Sequence, residues 1–281
     1  MTLMFQRLLD MLRGRRPSGP TAKAAFRTGT ESYALSSTGE TVFDDRPLRF
    51  RNLTLTEVDE PLANDPAGAP GFKIRISKLR HGRKQASTLV ENKYTDRGYE
   101  MPVLRKDPNL YTFIAYDEGQ LVGTVGVRMD GKRGLSADDL YAGELKSLRD
   151  QGFRLCEFTR LAVDKRAASK PVLAGLFHTA YLYAAVIRGA THAVIEVNPR
   201  HVRFYGRALR FKTIGEARLN RRVNAPAVLL YVPFADIADG LARYAGKLDE
   251  VSAGGSVFPF CFPPSEEVGV LSRLRDLVRN S

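Results

Sequence analysis

The run Leu155–Pro171, LCEFTRLAVDKRAASKP, is the stretch whose reading decides the fold. Leu155, Cys156, Phe158, Leu161 and Val163 are apolar and lie between turn and charge signals, which predicts a strand. Set into it are Glu157, Thr159 and Arg160. Ionisable groups inside an otherwise buried run are costly unless the charges meet each other or a ligand. The strand is expected to break at Asp164–Lys165–Arg166, and Pro171 with Val172 opens a long apolar helix. A helix N-terminus then faces the end of a charged strand, a geometry that suits an anionic group.

Outward from this stretch the periodicity is clear on both sides. C-terminal to it, residues 171–188 carry a wide apolar stripe (Val172, Leu173, Leu176, Phe177, Ala180, Tyr183, Ala184, Ile187) closed by Gly189. A strand 193–197, a helix 200–209 and strands 211–214 and 227–232 follow. N-terminal to it, Phe72, Ile74 and Ile76 alternate with polar residues as a half-buried strand, and 79–94 steps like a helix. Strands 111–116 and 121–128 flank the turn Asp117–Glu118–Gly119–Gln120, a hairpin. Residues 136–151 read as a polar helix with Ser136 as N-cap and Asp139 three residues on. The order is β-α-β-β-(α)-β-α-β-α-β-β, an α/β domain.

The ends have a different character. Residues 1–16, MTLMFQRLLDMLRGRR, form a basic amphipathic helix by pattern, and Arg7 and Asp10 exclude a signal-peptide core. It suits an anionic membrane surface or docking on the domain. Residues 21–70 carry little periodicity apart from a strand-like 48–56, and 59–70 resembles a linker. Beyond 233 come a helix near 235–248, the apolar run 257–262 and a helix from Ser265. Val268, Leu271, Leu274 and Leu277 are expected to face inward on that last helix. An exposed FPFCF would be an unusual patch, so a cover of protein or lipid is expected.

A net charge of +12 and a pI near 9.8 call for an acidic partner. No finger, homeodomain or RNP-type pattern appears and the basic residues are scattered, so nucleic acid is not expected. The two cysteines, Cys156 and Cys261, sit far apart in apolar surroundings without metal spacing, which fits a reduced cytoplasmic setting.

This order, with NPRHVRFYGRALRF after the fifth strand, resembles the acyltransferase fold of the GCN5-related N-acetyltransferases (GNAT). Within that superfamily, TLVENKYTDRGY (88–99), GQLVGTVGVRMD (119–130), 134–164 and 198–230 resemble the bacterial long-chain N-acyl amino acid synthases of FeeM type, which are similar to acyl-homoserine-lactone synthases. The likeness covers about residues 71–233. It implies an α/β GNAT-like fold with a mixed central sheet, flanking helices, an N-terminal extension (1–70) and a C-terminal helical extension (234–281). It also implies an N-acyltransferase of lipid biosynthesis. That enzyme would move a long-chain fatty acyl group from a carrier thioester to the α-amine of an amino acid, without metal or redox cofactor.

The resemblance gives site residues their roles. Glu157 binds the substrate ammonium and takes its proton, directly or through water. Arg160 holds the substrate carboxylate or orients Glu157. Residues three apart on a regular strand point to opposite faces, so a shared site requires a bulge, placed by the superfamily where a main-chain N–H near 161–163 meets the thioester oxygen. Arg128 assists with carboxylate binding, or is a solvated strand-end charge. Tyr205 protonates the leaving sulfur, or packs with Phe204. Tyr94 and Tyr99 pack in the core or line the amino acid pocket, and Asn198, on the turn after the fifth strand, binds substrate. The turn Arg166–Pro171 lacks the glycines that wrap a CoA pyrophosphate, and Pro171 removes a donor. Arg166 and Lys170 suit the single phosphate of a phosphopantetheine arm, which favours an acidic acyl carrier protein as donor. An acyl-CoA-dependent N-acyltransferase, a lactone synthase and a non-catalytic lipid-interaction module remain the alternatives.

Overall fold

The computed structural model describes residues 40–44, 72–77, 107, 109–117, 120–163, 170–248 and 255–279. The amphipathic helix over 1–16, the strand-like 48–56, the helix over 79–94 and the turn 164–169 lie outside the described residues.

Among the described residues nine strands form the sheet: β1 (Glu40–Asp44), β2 (Phe72–Ser77), β3 (Leu110–Asp117), β4 (Gln120–Met129), β5 (Leu155–Val163), β6 (His192–Val197), β7 (Lys212–Thr213), β8 (Arg218–Asn220) and β9 (Ala225–Pro233). The order is β1-β2-β3-β4-β5-β6-β9-β7, with β8 paired to β9. Every pairing is antiparallel except β5 with β6. A parallel pair needs a crossover. Here it is α2 (Lys170–Tyr181), which continues as a π-helical turn, Leu182–Ile187. The other helices are α1 (Asp138–Asp150), α3 (Val202–Leu209), α4 (Phe234–Tyr244) and α5 (Pro264–Arg279).

Alternation along the strands sends side chains to two separate cores. Cys156 and Phe158 of β5 join the larger one, packed under α2, α3, α4 and α5. Leu155 of β5 and Val194 of β6 join the smaller one, with Tyr141, Leu145 and Leu148 of α1. The window Lys170–Ile187 has the length and hydropathy of a membrane span, but Val172–Ala180 are all buried within the protein and make it the core helix. The C-terminal extension closes the larger core: Phe258, Cys261 and Phe262 are buried, so FPFCF is covered by the protein itself. His178 of α2 is buried here, its Nδ1 accepting the Phe262 N–H at 3.2 Å. Gly240 allows this packing, since a Cβ there would lie 2.7 Å from the Phe258 ring.

Several sequence expectations are corrected. β1 falls in a stretch without periodic signal, and β8 is a three-residue strand too short to carry one. Ser136 does not cap α1: the N-cap is Ala137 and no side chain bonds there. Val268 is 71% exposed, and the inward positions of α5 are Val270, Leu274 and Leu277. The 3,4 spacing of those three is the true helical stripe.

Leu274→Ala is expected to cost about 2–5 kcal/mol in urea denaturation, whereas Val268→Ser is expected to stay within about 0.5 kcal/mol. Equal losses would contradict the assigned face of α5.

Candidate active site

β5 carries the bulge that the Glu157/Arg160 spacing requires. Thr159 pairs with Gly126 and Ala162 with Thr124, so three steps on β5 match two on β4. Arg160 absorbs the extra residue with a left-handed backbone, φ 52°. On the other side, β5 and β6 pair only through Leu155–His192, Cys156–Ala193 and Glu157–Val194. Past Glu157 the two strands part, and the main chain of Phe158–Val163 has no ladder partner in β6. A gap of this kind beside a bulge is where main-chain N–H groups can meet an oxygen atom from outside the sheet.

Glu157 stands at the lip of that gap, 2% exposed, on the α1 face. Its Oε2 accepts the Ser136 N–H at 2.6 Å and lies 3.7 Å from Nη1 of Arg128. Arg128 is the residue directly across on β4. Its Nε donates to Asp107 Oδ2 at 2.6 Å and its Nη1 to the Ser136 hydroxyl. Burial raises the Glu157 pKa, while the Arg128 charge and the Ser136 bonds oppose the rise. Arg128, the cross-strand neighbour on the same face, is thus a counter-charge of Glu157, while Arg160 sits in the bulge.

α1 is anchored so that the loop before it reaches this site. Arg149 in its last turn forks onto Asp138 (2.7 Å) and Asp130 (2.7 Å), and the Asp138 carboxylate accepts the Leu135 N–H at 2.7 Å. The bonds from Arg149 hold the Asp138 pKa below the usual range despite partial burial. The Ser136 N–H is thereby delivered to Glu157.

A second carboxylate on this face, the partly buried Glu196 of β6, carries no motif in the sequence. Its Oε2 accepts from Arg222 Nη2 at 2.5 Å and from Asn220 Nδ2 at 3.1 Å, both on the β8–β9 hairpin. Arg222 also lies 3.6 Å from Asp139 of α1. The hairpin is held on α1 by the Arg218–Glu144 ion pair, by Arg218 over the Tyr141 ring (4.6 Å) and by Tyr141 OH on Ala227 O (2.7 Å). Gly215 permits this, because a Cβ there would fall 2.6 Å from the Tyr141 ring.

The remaining sequence-derived candidates are placed as follows. Tyr205 is buried on the opposite side of the sheet, edge-on to Phe177, Phe204 and Phe211. Asn198 is the N-cap of the turn Pro199–His201, its Oδ1 accepting the Arg200 N–H at 3.3 Å. Lys170 begins α2 with its ammonium 5.1 Å from the Phe260 ring, and burial lowers its pKa. Tyr94, Tyr99 and Arg166 lie outside the described residues. An apolar cavity between Phe158, Phe177, Phe234, Leu241, Phe258 and Cys261 lies under the C-terminal extension. Among the described residues no three His, Cys, Asp or Glu side chains are grouped to hold a metal ion.

The family model for the N-acyl amino acid synthase FeeM matches residues 85–233. The chain belongs to the FeeM family of N-acyl amino acid synthases. The structure of FeeM, an N-acyl amino acid synthase from uncultured soil microbes, is similar at 29% identity and a TM-score of 0.55, over 59% of this chain and 93% of that one. Lower in similarity are the acyl-homoserine-lactone synthase LasI (12% identity, TM-score 0.42, 59% of this chain and 91% of that one) and a CoA-dependent acyl-homoserine-lactone synthase, BjaI, with SAM and isopentyl-CoA (14%, TM-score 0.39, 58% and 79%). Comparison with curated proteins returned no match. This FeeM-family protein is an N-acyltransferase with an α/β fold, and the matched span ends where the C-terminal extension begins.

Arg128→Met, which leaves Glu157 without its counter-charge, is expected to cost about 3–5 kcal/mol in thermal or urea unfolding. Adding Glu157→Gln is expected to recover a large part of that loss. Simple additivity of the two changes would contradict the pairing.

Proposed function

We propose that this N-acyltransferase moves a long-chain fatty acyl group from an acyl carrier protein thioester to the α-amine of an amino acid. The observation that carries the reading is a buried carboxylate, Glu157, at the point where β5 leaves β6, next to the bulge at Arg160. The phosphopantetheine arm enters the gap between the strands, where a bulge N–H meets the thioester oxygen. Glu157 binds the substrate ammonium and draws its proton, and Arg160 takes the substrate carboxylate in a fork. Arg128 keeps Glu157 in place; Asn198, Tyr94 and Tyr99 border the amino acid, and Tyr205 faces the leaving sulfur. The acyl tail lies along the apolar side of the sheet.

The donor assignment rests on charge and on the turn before α2. A protein of net charge +12 attracts an acidic carrier, and Arg166 and Lys170 suit one phosphate better than a pyrophosphate. No resident cofactor is needed for this chemistry, since the thioester brings its own activation. The basic segment 1–16 suits an anionic membrane surface, into which an acylated product would partition.

The protein is to be incubated with matched acyl carrier protein and acyl-CoA donors and a mixture of amino acids, and products read by mass spectrometry. N-acyl amino acid from the carrier donor is expected. Glu157→Gln, which keeps an acceptor for the Ser136 N–H, is expected to lower turnover by roughly 10²–10⁴-fold with folding intact. Turnover only with acyl-CoA would overturn the donor, and full activity of Glu157→Gln would overturn the role of that residue.

A further inference from the structure

Side chains on one face of a strand recur every second residue, so the first β6 residue past Val194 that shares the face of Glu157 is Glu196. It therefore stands on the opposite flank of the gap from Glu157. Arg222 and Asn220 hold its Oε2 from the hairpin side. Its Oε1 is buried, and none of the described residues hydrogen-bonds it. A buried carboxylate oxygen without a donor is costly, and such an atom in a reaction cleft is available to a water or a substrate proton.

The chemistry of amide formation requires more than one proton carrier. Two protons leave the nitrogen between ammonium and amide: one before its lone pair attacks the thioester carbon, the other from the tetrahedral adduct. When the C–S bond breaks the thiolate takes up one proton, so the other must be carried to solvent. Glu157 is bonded by the Ser136 N–H and faced by Arg128, both of which favour its ionised form. Burial works the other way and raises its pKa, so it is suited to draw a proton from an ammonium and, with these partners, to pass it on.

We propose that Glu196 is the proton relay of the acyl transfer, receiving through water the proton that Glu157 draws from the ammonium. The inference rests on the N-acyltransfer reading above and assigns the proton a destination within it. Burial lifts the Glu196 carboxyl to about 7; Arg222 pulls it down, and the charges of Glu157 and Asp139 push it up. The groups facing it are thus Glu157 on β5, Asp139 on α1, and Arg222 and the neutral Asn220 on the hairpin. A carboxyl with a raised pKa is protonated, and useless as an acceptor, below that pKa. Activity therefore rises as pH passes upward through about 7.

The test is the pH dependence of kcat for wild type, Glu196→Gln and Asn220→Ala, on whichever amine the wild type acylates. Alongside it, infrared difference spectra of the unliganded protein follow the protonated carboxyl band. Glu196→Gln is expected to lose the limb near 7 and to lower kcat by roughly 10²-fold or more, with the KM for the amine little changed. Asn220→Ala removes a donor to the carboxylate and is expected to move the limb to higher pH, an effect that loss of folding alone would not produce. A wild-type limb and kcat in Glu196→Gln, or an unmoved limb in Asn220→Ala, would overturn the proposal. If the wild type acylates no amine, the N-acyl amino acid reading fails on its own account. The infrared titration still decides this one: a carboxyl band titrating near 7 and absent in Glu196→Gln supports it, and no such band overturns it.

Discussion

The attraction between Glu157 and Arg128 across β4 and β5 is the constraint to which the rest of the site conforms. An ionised carboxylate at 2% exposure needs a counter-charge and hydrogen bonds, or it neutralises. Both are supplied from close by: the guanidinium from the directly opposed residue, and the N–H from Ser136. Each has its own support, Arg128 from Asp107 and the Ser136 loop from the Asp138–Arg149–Asp130 network. The register of β4 on β5, the entry to α1 and the charge state of the site are thereby a single problem with one solution.

The sheet keeps two incompatible environments apart. On the α1 face lie the polar groups Glu157, Arg128, Glu196 and Arg222. On the other, Phe158, Phe177 and the C-terminal extension make a dry environment. The two meet where β5 and β6 stop pairing, with the bulge at Arg160 on one side. A thioester lying in that gap would present its carbonyl to the polar face and its hydrocarbon to the apolar one. Residues beyond 233, outside the family match, complete the apolar face through Phe258, Cys261 and Phe262, and His178 accepts a main-chain N–H from them.

Much of this was legible in the sequence because it is written in local period. Period-2 apolar runs gave β2 to β6 and β9 to within two residues at each end, and the wide apolar stripe gave the core helix. The bulge was expected from the resemblance, which put Glu157 and Arg160 in one site that a regular two-residue repeat would not allow. What escaped was set by partners distant in the chain. Ser136 looks like a cap because helix starts prefer serine, yet its N–H serves a strand 21 residues on. Glu196 sits in an ordinary strand pattern, and only the return of the β8–β9 hairpin makes its carboxylate unusual. Asn198 was legible as polar, but its capping geometry was not.

The account depends on the gap between β5 and β6 being the place where acyl group and amine meet. A crystal structure with an N-acyl amino acid product bound tests this most directly. The amide is predicted to lie beside the bulge, its nitrogen within hydrogen-bond reach of Glu157 and its acyl chain running along the Phe158 side of the sheet. A product bound elsewhere, with the gap filled by side chains and Glu157 contacting only Arg128 and Ser136, would contradict it.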